Sequence, residues 1–216
     1  MSDPDNKTHR NKRRQKIPRI VNTTTIENSA LFYIERYATS SENLRQVLKR
    51  KIIRASKYHN TDINACIQHI GDLIQRYLKN GILNDEVYAQ AQATSMNRRG
   101  KSLRAIRSRL RQKLLSDENI EKAIGVLTKE YESPDLSAAI TYARKRRLGP
   151  FRKNASNRNS LNKELASLAR SGFSYSLALR IVEAKNIDEL ENELNGSQDS
   201  RETGNPNSRA NVFKLD

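Results

Sequence analysis

Residues 84–127, NDEVYAQAQATSMNRRGKSLRAIRSRLRQKLLSDENIEKAIGVL, contain the pattern that decides the fold. Asn84 and Ser116 each precede a run in which apolar residues recur every three or four positions, as expected where a polar side chain caps an amphipathic helix. A third stripe with the same spacing lies between these runs, in a predicted helix over residues 101–114: Leu103, Ile106, Leu110 and Leu114. The stretch therefore predicts three short helices in succession.

The same pattern of three helices occurs three times along the chain. The middle helices align best, because Leu48, Leu110 and Leu168 occupy one frame and lie 62 and 58 residues apart. A unit of three short helices buries little apolar surface by itself, so neighbouring units must pack against one another. The sequence thus predicts an all-α fold, an elongated tandem array of three-helix repeats with disordered termini. The alternative is an ordinary helical bundle whose segments resemble one another by chance.

The predicted organisation has five parts. A disordered basic arm covers residues 1–24, and an acidic, polar, mostly disordered tail covers residues 187–216. The three repeats lie between them at 25–82, 83–132 and 133–186. Both ends are too polar to bury the apolar surface that would offset the entropy lost on ordering.

Composition excludes several classes of protein. The 216 residues include only 8 Gly and 5 Pro, too few for a sandwich or barrel, which needs a turn every 8–12 residues or so. No apolar run reaches the roughly 18–20 residues that would cross a bilayer, so we expect no membrane association. The single Cys66 cannot form a disulfide framework, which favours the reducing cytoplasm.

The charge indicates an anionic partner. The chain has 40 Lys and Arg against 24 Asp and Glu, a net charge of +16, and residues 1–182 alone carry 36 bases and 16 acids. Nucleic acid is the partner that such an excess favours, because phosphates offer a dense and regular array of negative charge. The alternative is a solvated basic surface that serves only solubility.

The candidate contact residues are clusters of bases on predicted helices. Between Arg98 and Lys113 there are eight bases and no acid, with Arg104, Arg107 and Arg111 on one flank of the apolar stripe and Arg109 and Lys113 on the other. Such crowding weakens a helix by a few tenths of a kcal/mol per pair, so it favours an anionic partner, although long Arg stems can also cover apolar surface. The full set of candidates is Arg45, Lys49 and Arg50 in the first repeat, Arg98, Arg99, Lys101, Arg104, Arg107 and Arg111 in the second, and Arg144, Lys145, Arg146, Arg147, Arg152, Lys153 and Arg170 in the third.

Motifs that would indicate catalysis or a cofactor are incomplete. Gly100-Lys101-Ser102 resembles the end of a phosphate-binding loop, but Ser95 stands where that loop needs a glycine. Cys66 and His69 have no CxxC partner and lie on or beside a predicted apolar face, which favours packing over zinc binding. With no nucleophile and base in a recognisable arrangement, we expect no enzyme activity and no cofactor.

Residues 74–124 carry motifs that resemble those of the RecX family of bacterial regulatory proteins. The matching segments are Tyr77-Leu78, Gly81-Ile82-Leu83-Asn84-Asp85, Tyr88-Ala89, Arg99-Gly100, Ile106, Leu110 and Ala123-Ile124. The order and spacing of these motifs agree with the three-helix repeat, and the resemblance covers about residues 28–184.

The resemblance implies a non-enzymatic, cofactor-free modulator of the RecA recombinase in the cytoplasm. Such proteins are implied to lie in the groove of the RecA–DNA filament and to restrain strand exchange and ATP turnover in recombination and DNA repair. The implied partners are the RecA filament and its DNA, with the regulator itself a monomer. The alternative is an autonomous helical DNA- or RNA-binding protein that acts without RecA.

Overall fold

The computed structural model describes residues 17–152, 158–192 and 194, and in these residues it contains helices and no strand. The α-helices are α1 (Thr23–Arg36), α2 (Ser41–Ser56), α3 (Ile63–Lys79), α4 (Asp85–Arg98), α5 (Leu103–Gln112), α6 (Asp117–Glu130), α7 (Pro134–Arg146), α8 (Arg158–Arg170) and α9 (Tyr175–Glu183). A short 3-10 helix covers Gly149–Phe151, and residues 187–192 are also helical. The predicted all-α fold is confirmed. Of the predicted disordered ends 1–24 and 187–216, residues 1–16, 193 and 195–216 lie outside the described residues, as does the candidate Lys153.

The helices form three units, each with its own hydrophobic core: unit 1 (α1–α3), unit 2 (α4–α6) and unit 3 (α7–α9). Leu48, Leu110 and Leu168, which align the repeats in the sequence, are each at most 2% exposed and lie one in each core. The tandem array of three-helix repeats is therefore confirmed. None of the helices in the described part combines the length and the apolar character needed to cross a membrane.

Several predicted boundaries shift. Helix α1 begins at Thr23, because Asn22 accepts a hydrogen bond from the backbone of Thr25 at 2.9 Å and so caps the helix. The packed part of unit 3 continues past residue 186, because Leu190 is buried in its core at 1% exposure.

The prediction that one helix covers residues 101–114 is wrong at both ends. Ser102 caps α5, and the helix stops at Gln112. Leu114 then adopts a left-handed conformation with φ 61° and is 43% exposed, while the next residue, Leu115, turns into the core. The backbone N–H of Leu115 donates to Leu110 O at 3.3 Å, the closure of a Schellman motif, so Leu115 takes the core position that the spacing gave to Leu114.

Two similar joints connect the units. In joint 1–2, Ser40 Oγ donates to Lys113 O at 2.7 Å and Asp85 Oδ1 accepts from Ser41 N at 2.7 Å. Joint 1–2 thus uses the serine that caps the second helix of unit 1 and an aspartate from the first helix of unit 2. In joint 2–3 the same roles fall to other residues: Ser102 Oγ donates to Ser171 O at 2.8 Å, and Asp135 Oδ1 accepts from Leu103 N at 2.7 Å.

Joint 2–3 has additional packing. Helix α4 packs against α7, and the buried Asn97 donates through Nδ2 to Pro134 O at 2.9 Å. Lys145 Nζ also donates to Arg99 O at 3.1 Å. No pair of described helices packs as extensively across joint 1–2. Units 2 and 3 therefore form one firmly joined body, to which unit 1 is attached by a smaller polar contact.

Candidate nucleic-acid interface

A groove of about 880 Å³ runs across joint 2–3, between helix α5 and the C-terminal end of α8. Its walls combine small residues, such as Ala105 and Ser108, with long basic ones. Among the described residues that line the groove there is no acidic side chain. The bases that line it are Arg99, Lys101, Arg104, Arg109, Lys113 and Arg170.

The fold places these bases together in two steps. Ile106 and Leu110 are fully buried in the core of unit 2, so the opposite face of α5 is directed into the groove. Gly172 then brings the end of α8 against the start of α5. It adopts φ 89°, and a Cβ there would lie 2.6 Å from Ser102 Oγ, the donor of the joint hydrogen bond. A glycine is therefore required for the close approach of the two walls.

The groove bases keep their positive charge available. Among the described residues, no carboxylate lies within ion-pairing distance of Arg104, Lys101 or Arg170. The remaining contacts are with neutral groups: Arg109 donates to Gln112 Oε1 at 2.8 Å, and Lys113 Nζ donates to the Tyr88 hydroxyl at 3.0 Å. An anionic ligand would thus meet uncompensated cations whose local potentials add.

Arg107 and Arg111 lie outside the groove, on the flank of α5 that faces α6. Arg107 forms a two-pronged pair with Glu121, at 2.8 and 3.0 Å, and Arg111 pairs with Asp117 at 2.8 Å. The hydrogen bond from Arg107 lowers the pKa of the Glu121 carboxyl. The structure therefore separates Arg104 from the two arginines with which the sequence grouped it, and gives those two a contact within unit 2.

Other candidates in units 2 and 3 also have partners within the protein. Arg144 pairs with Glu191 at 2.6 Å. Arg98 donates to the Tyr131 hydroxyl through Nε at 3.4 Å and through Nη2 at 3.3 Å. Arg152 Nε lies 2.8 Å from the buried carboxylate of Glu164. That contact identifies Arg152 as a residue of the unit 3 core boundary.

The remaining candidates are distributed over the surface away from the groove. Arg146 lies over the ring of Tyr142, 5.9 Å from its centroid, and Arg147 ends α7 in a left-handed conformation with φ 58°. In unit 1, Arg45 pairs with Glu42 at 2.9 Å, while Lys49 and Arg50 lie further along α2. The predicted basic residues thus do not form a single continuous site.

Arg109 and Lys113 line the groove, although they are not among the contact residues predicted from the sequence. Both were assigned to the other flank of the stripe, away from Arg104. The available signal was the pair of small residues between the two flanks, Ala105 and Ser108, which leaves room for a ligand on that face.

The internal repeat offers a comparison that isolates the charge of the groove. Ser40 and Ser102 hold the same place in the two joints and lie 62 residues apart. At that offset, the position of Arg104 corresponds to Glu42 and that of Arg109 to Val47. The three-helix fold therefore forms without bases at these two positions.

Known proteins resemble this chain in both sequence and fold. The family model described as the second three-helix domain of RecX matches residues 84–124. The regulatory protein RecX of Myxococcus xanthus is 38% identical over 182 residues, covering 84% of this chain and 95% of that protein. RecX of Agrobacterium fabrum is 30% identical over 170 residues, covering 77% of this chain and 86% of that protein.

Solved structures share the fold. The crystal structure of RecX from Lactobacillus salivarius has a TM-score of 0.55 and 23% identity, covering 80% of this chain and 96% of that one. A second crystal structure of regulatory protein RecX has a TM-score of 0.56 and 21% identity, covering 75% of this chain and 72% of that one. Because the relative from Myxococcus matches across nearly its whole length, this chain belongs to the RecX family of regulatory proteins.

Proposed function

We propose that this protein binds the filament that RecA forms on DNA and inhibits its strand exchange and ATP turnover, as a cytoplasmic regulator without catalytic chemistry of its own. The basic groove at joint 2–3 is the observation that carries the proposal. Membership of a family of regulatory proteins supports a regulatory role, and the groove supplies a site suited to a nucleoprotein.

The groove is suited to the phosphates of the filament's DNA. Arginine presents a planar fork of donors that matches phosphate oxygens, and Arg104, Arg109 and Arg170 all line the groove. Hydrogen bonds between ionised partners contribute about 1.5–3 kcal/mol each. Because the groove crosses a firm joint, the backbone segments that carry these cations are already held in place, and little backbone entropy is lost on binding.

The test is RecA-dependent strand exchange with a groove variant that carries Arg104→Gln, Arg109→Gln and Arg170→Gln. At a loss of about 1.4 kcal/mol for each of the three contacts, the concentration needed for half-maximal inhibition should rise by about a thousandfold. RecA-coated DNA should also bind the wild-type protein far more tightly than bare DNA does at moderate salt.

The matched control carries Arg107→Gln, Arg111→Gln and Lys122→Gln. It loses as many positive charges as the groove variant does, but each of these three cations already pairs with a carboxylate within unit 2. We expect its inhibition to stay within about threefold of wild type, because exposed ion pairs contribute little to stability. Equal inhibition by the groove variant and the control would refute the groove as the binding site. Equal affinity for RecA-coated and bare DNA would refute the proposal that the protein recognises the filament.

A further inference from the structure

Lys113 lines the groove, and the protein holds it at both its backbone and its side chain. Its backbone N–H donates to Leu110 O at 3.0 Å, and its carbonyl oxygen accepts from Ser40 Oγ at 2.7 Å. Its Nζ donates to the Tyr88 hydroxyl at 3.0 Å. A free lysine side chain samples many rotamers, so a ligand that binds it must pay for its ordering. In this groove, contacts within the protein already restrict those rotamers.

The Tyr88 hydroxyl holds the Lys113 ammonium without neutralising it. Among the described residues, no carboxylate lies within ion-pairing distance of Lys113. An ammonium has three N–H donors, so one hydrogen bond to a phenol oxygen leaves two donors and the whole charge for a ligand. Arg107, on the other flank of α5, differs because its partner Glu121 is a carboxylate that cancels its charge.

The packing of unit 2 does not require this hydroxyl. The ring of Tyr88 is half-buried against the core of unit 2, and a phenylalanine ring would fill the same space. Helices α1 and α4 begin 62 residues apart, at Thr23 and Asp85, so the position of Tyr88 corresponds to Ile26 in unit 1. Ile26 is 1% exposed in its own core. The repeat therefore needs an apolar side chain at this position, and the hydroxyl is an addition in unit 2.

The ring of Tyr88 also attracts the ammonium, and this contribution can be separated from the hydrogen bond. Lys113 Nζ lies 5.6 Å from the centroid of the ring, within the range of a cation–π interaction. A phenylalanine ring has the same negative face. Tyr88→Phe therefore removes the hydrogen bond and keeps the charge, the ring contact and the packing against the core.

We propose that Tyr88 is a positioning residue of the groove, whose hydroxyl holds the Lys113 ammonium in place for the phosphates of a polynucleotide. This rests on the proposed function, in which the groove binds the DNA of the filament. Tyr88 acts through Lys113. Because the ammonium is ordered before the ligand arrives, less side-chain entropy is lost on binding, and the affinity exceeds what an unrestrained lysine would give.

The test measures the affinity of the full-length protein for a fluorescent 30-nucleotide single strand at several salt concentrations. Tyr88→Phe should weaken binding by about three- to tenfold at each salt concentration, the cost of ordering one long side chain. Its log–log salt slope should equal that of wild type, because no phosphate contact is lost. Lys113→Gln removes the charge, so it should both weaken binding and flatten the slope by about 0.7, the share of one phosphate contact on a single strand.

The matched control is Tyr131→Phe. Tyr131 also packs against the core of unit 2 and accepts hydrogen bonds from a base, but that base is Arg98, which lies outside the groove. This control should bind the strand as wild type does, and an equal loss in both tyrosine variants would overturn the proposal. The double variant, Tyr88→Phe with Lys113→Gln, should bind no more weakly than Lys113→Gln, because the hydroxyl acts only through the ammonium.

Three other outcomes would also overturn the proposal. If Tyr88→Phe weakens binding by the same factor in the wild-type protein and in Lys113→Gln, the hydroxyl acts through a different group. If Tyr88→Phe binds as wild type does while Lys113→Gln binds more weakly, the groove remains the binding site and only the positioning role is refuted. If Lys113→Gln itself binds as wild type does, Lys113 does not contact the strand, which refutes the positioning role and counts against the groove as the site.

Discussion

Gly149 allows α9 to pack close to the end of α7, and replacing it with alanine should destabilise unit 3 strongly. A Cβ at this position would lie 2.2 Å from Ile181 O and 3.1 Å from Ile181 C, so the backbone of α9 would have to move by about 1 Å. The residue also has φ 57°, which costs a side-chain-bearing residue about 1–2 kcal/mol. Overpacking adds about 1–3 kcal/mol, so the two costs sum to about 2–5 kcal/mol, and we expect a loss near the middle of that range, about 3–4 kcal/mol, in the free energy of unfolding.

Two other glycines separate these contributions. Gly81 has φ 72° with no atom within 4 Å of a built Cβ, so Gly81→Ala should cost only the conformational part, about 1–2 kcal/mol. Gly125 lies within α6, also with open space around its Cβ position, so Gly125→Ala should stabilise unit 2 by about 0.5–1 kcal/mol.

The assay is native-state amide hydrogen exchange resolved by helix, because three units with separate cores need not unfold together. For Gly149→Ala, protection in α9 should fall by a hundredfold or more, the equivalent of about 3 kcal/mol, with little change in unit 1. If Gly149→Ala and Gly81→Ala cost the same, the close contact with α9 contributes nothing and the reasoning fails.

Three further predictions concern carboxylates. Burial raises the pKa of Asp135 above its ordinary 3.8, so the folded protein keeps this carboxyl protonated to higher pH than the unfolded chain does. The free energy of unfolding should therefore fall as pH rises from the unfolded pKa through the folded one. Asp135→Asn should remove that fall from a pH series of denaturant unfolding curves. Glu164→Ala should destabilise unit 3 by about 3 kcal/mol in the same measurement, because it leaves the Arg152 guanidinium without a carboxylate and with Val182 O as its remaining acceptor; a variant as stable as wild type would show that this pair is dispensable. Asp85→Ala should loosen joint 1–2 by about 1 kcal/mol, seen as a broader distribution of distances in small-angle X-ray scattering with the melting temperature of unit 1 unchanged, whereas an unaltered distribution would show that other contacts hold the joint.

The fold was predictable because its decisive features are local. Apolar spacing of three and four residues identifies each helix, and the positions of Leu48, Leu110 and Leu168 identify the repeat. The helix end at Gln112 was missed for a physical reason. The left-handed residue of a Schellman motif is usually glycine, and at the end of α8 it is Gly172. At the end of α5 it is Leu114, whose apolar side chain fits the helical spacing, so the sequence does not indicate that the helix ends there.

The site was less predictable because charge on a helix face does not reveal its partner. Arg107 and Arg111 look as available as Arg104 in the sequence. The structure nevertheless pairs them with carboxylates of α6, Glu121 and Asp117. The groove also requires Arg170, which reaches α5 only through the joint that Ser102 and Gly172 form. Tertiary contacts of this kind decide which cations are neutralised, and periodicity carries no information about them.

The two joints differ in a way that bears on how a regulator could follow a helical filament. Both use the same pair of hydrogen bonds, so both fix the point about which neighbouring units meet. Joint 2–3 adds the buried contact of Asn97 with Pro134 O and carries the basic groove on its surface, so an anion bound there would contact both units and oppose their separation. Joint 1–2 lacks extensive helix packing among the described residues, so unit 1 can change its angle at the cost of the three hydrogen bonds that Ser40 and Ser41 form with Lys113 O and Asp85. Under the proposed function, two firmly joined units that hold the polynucleotide and a first unit that can change its angle would together match filament grooves of different pitch, whereas a wholly rigid array would fit only one.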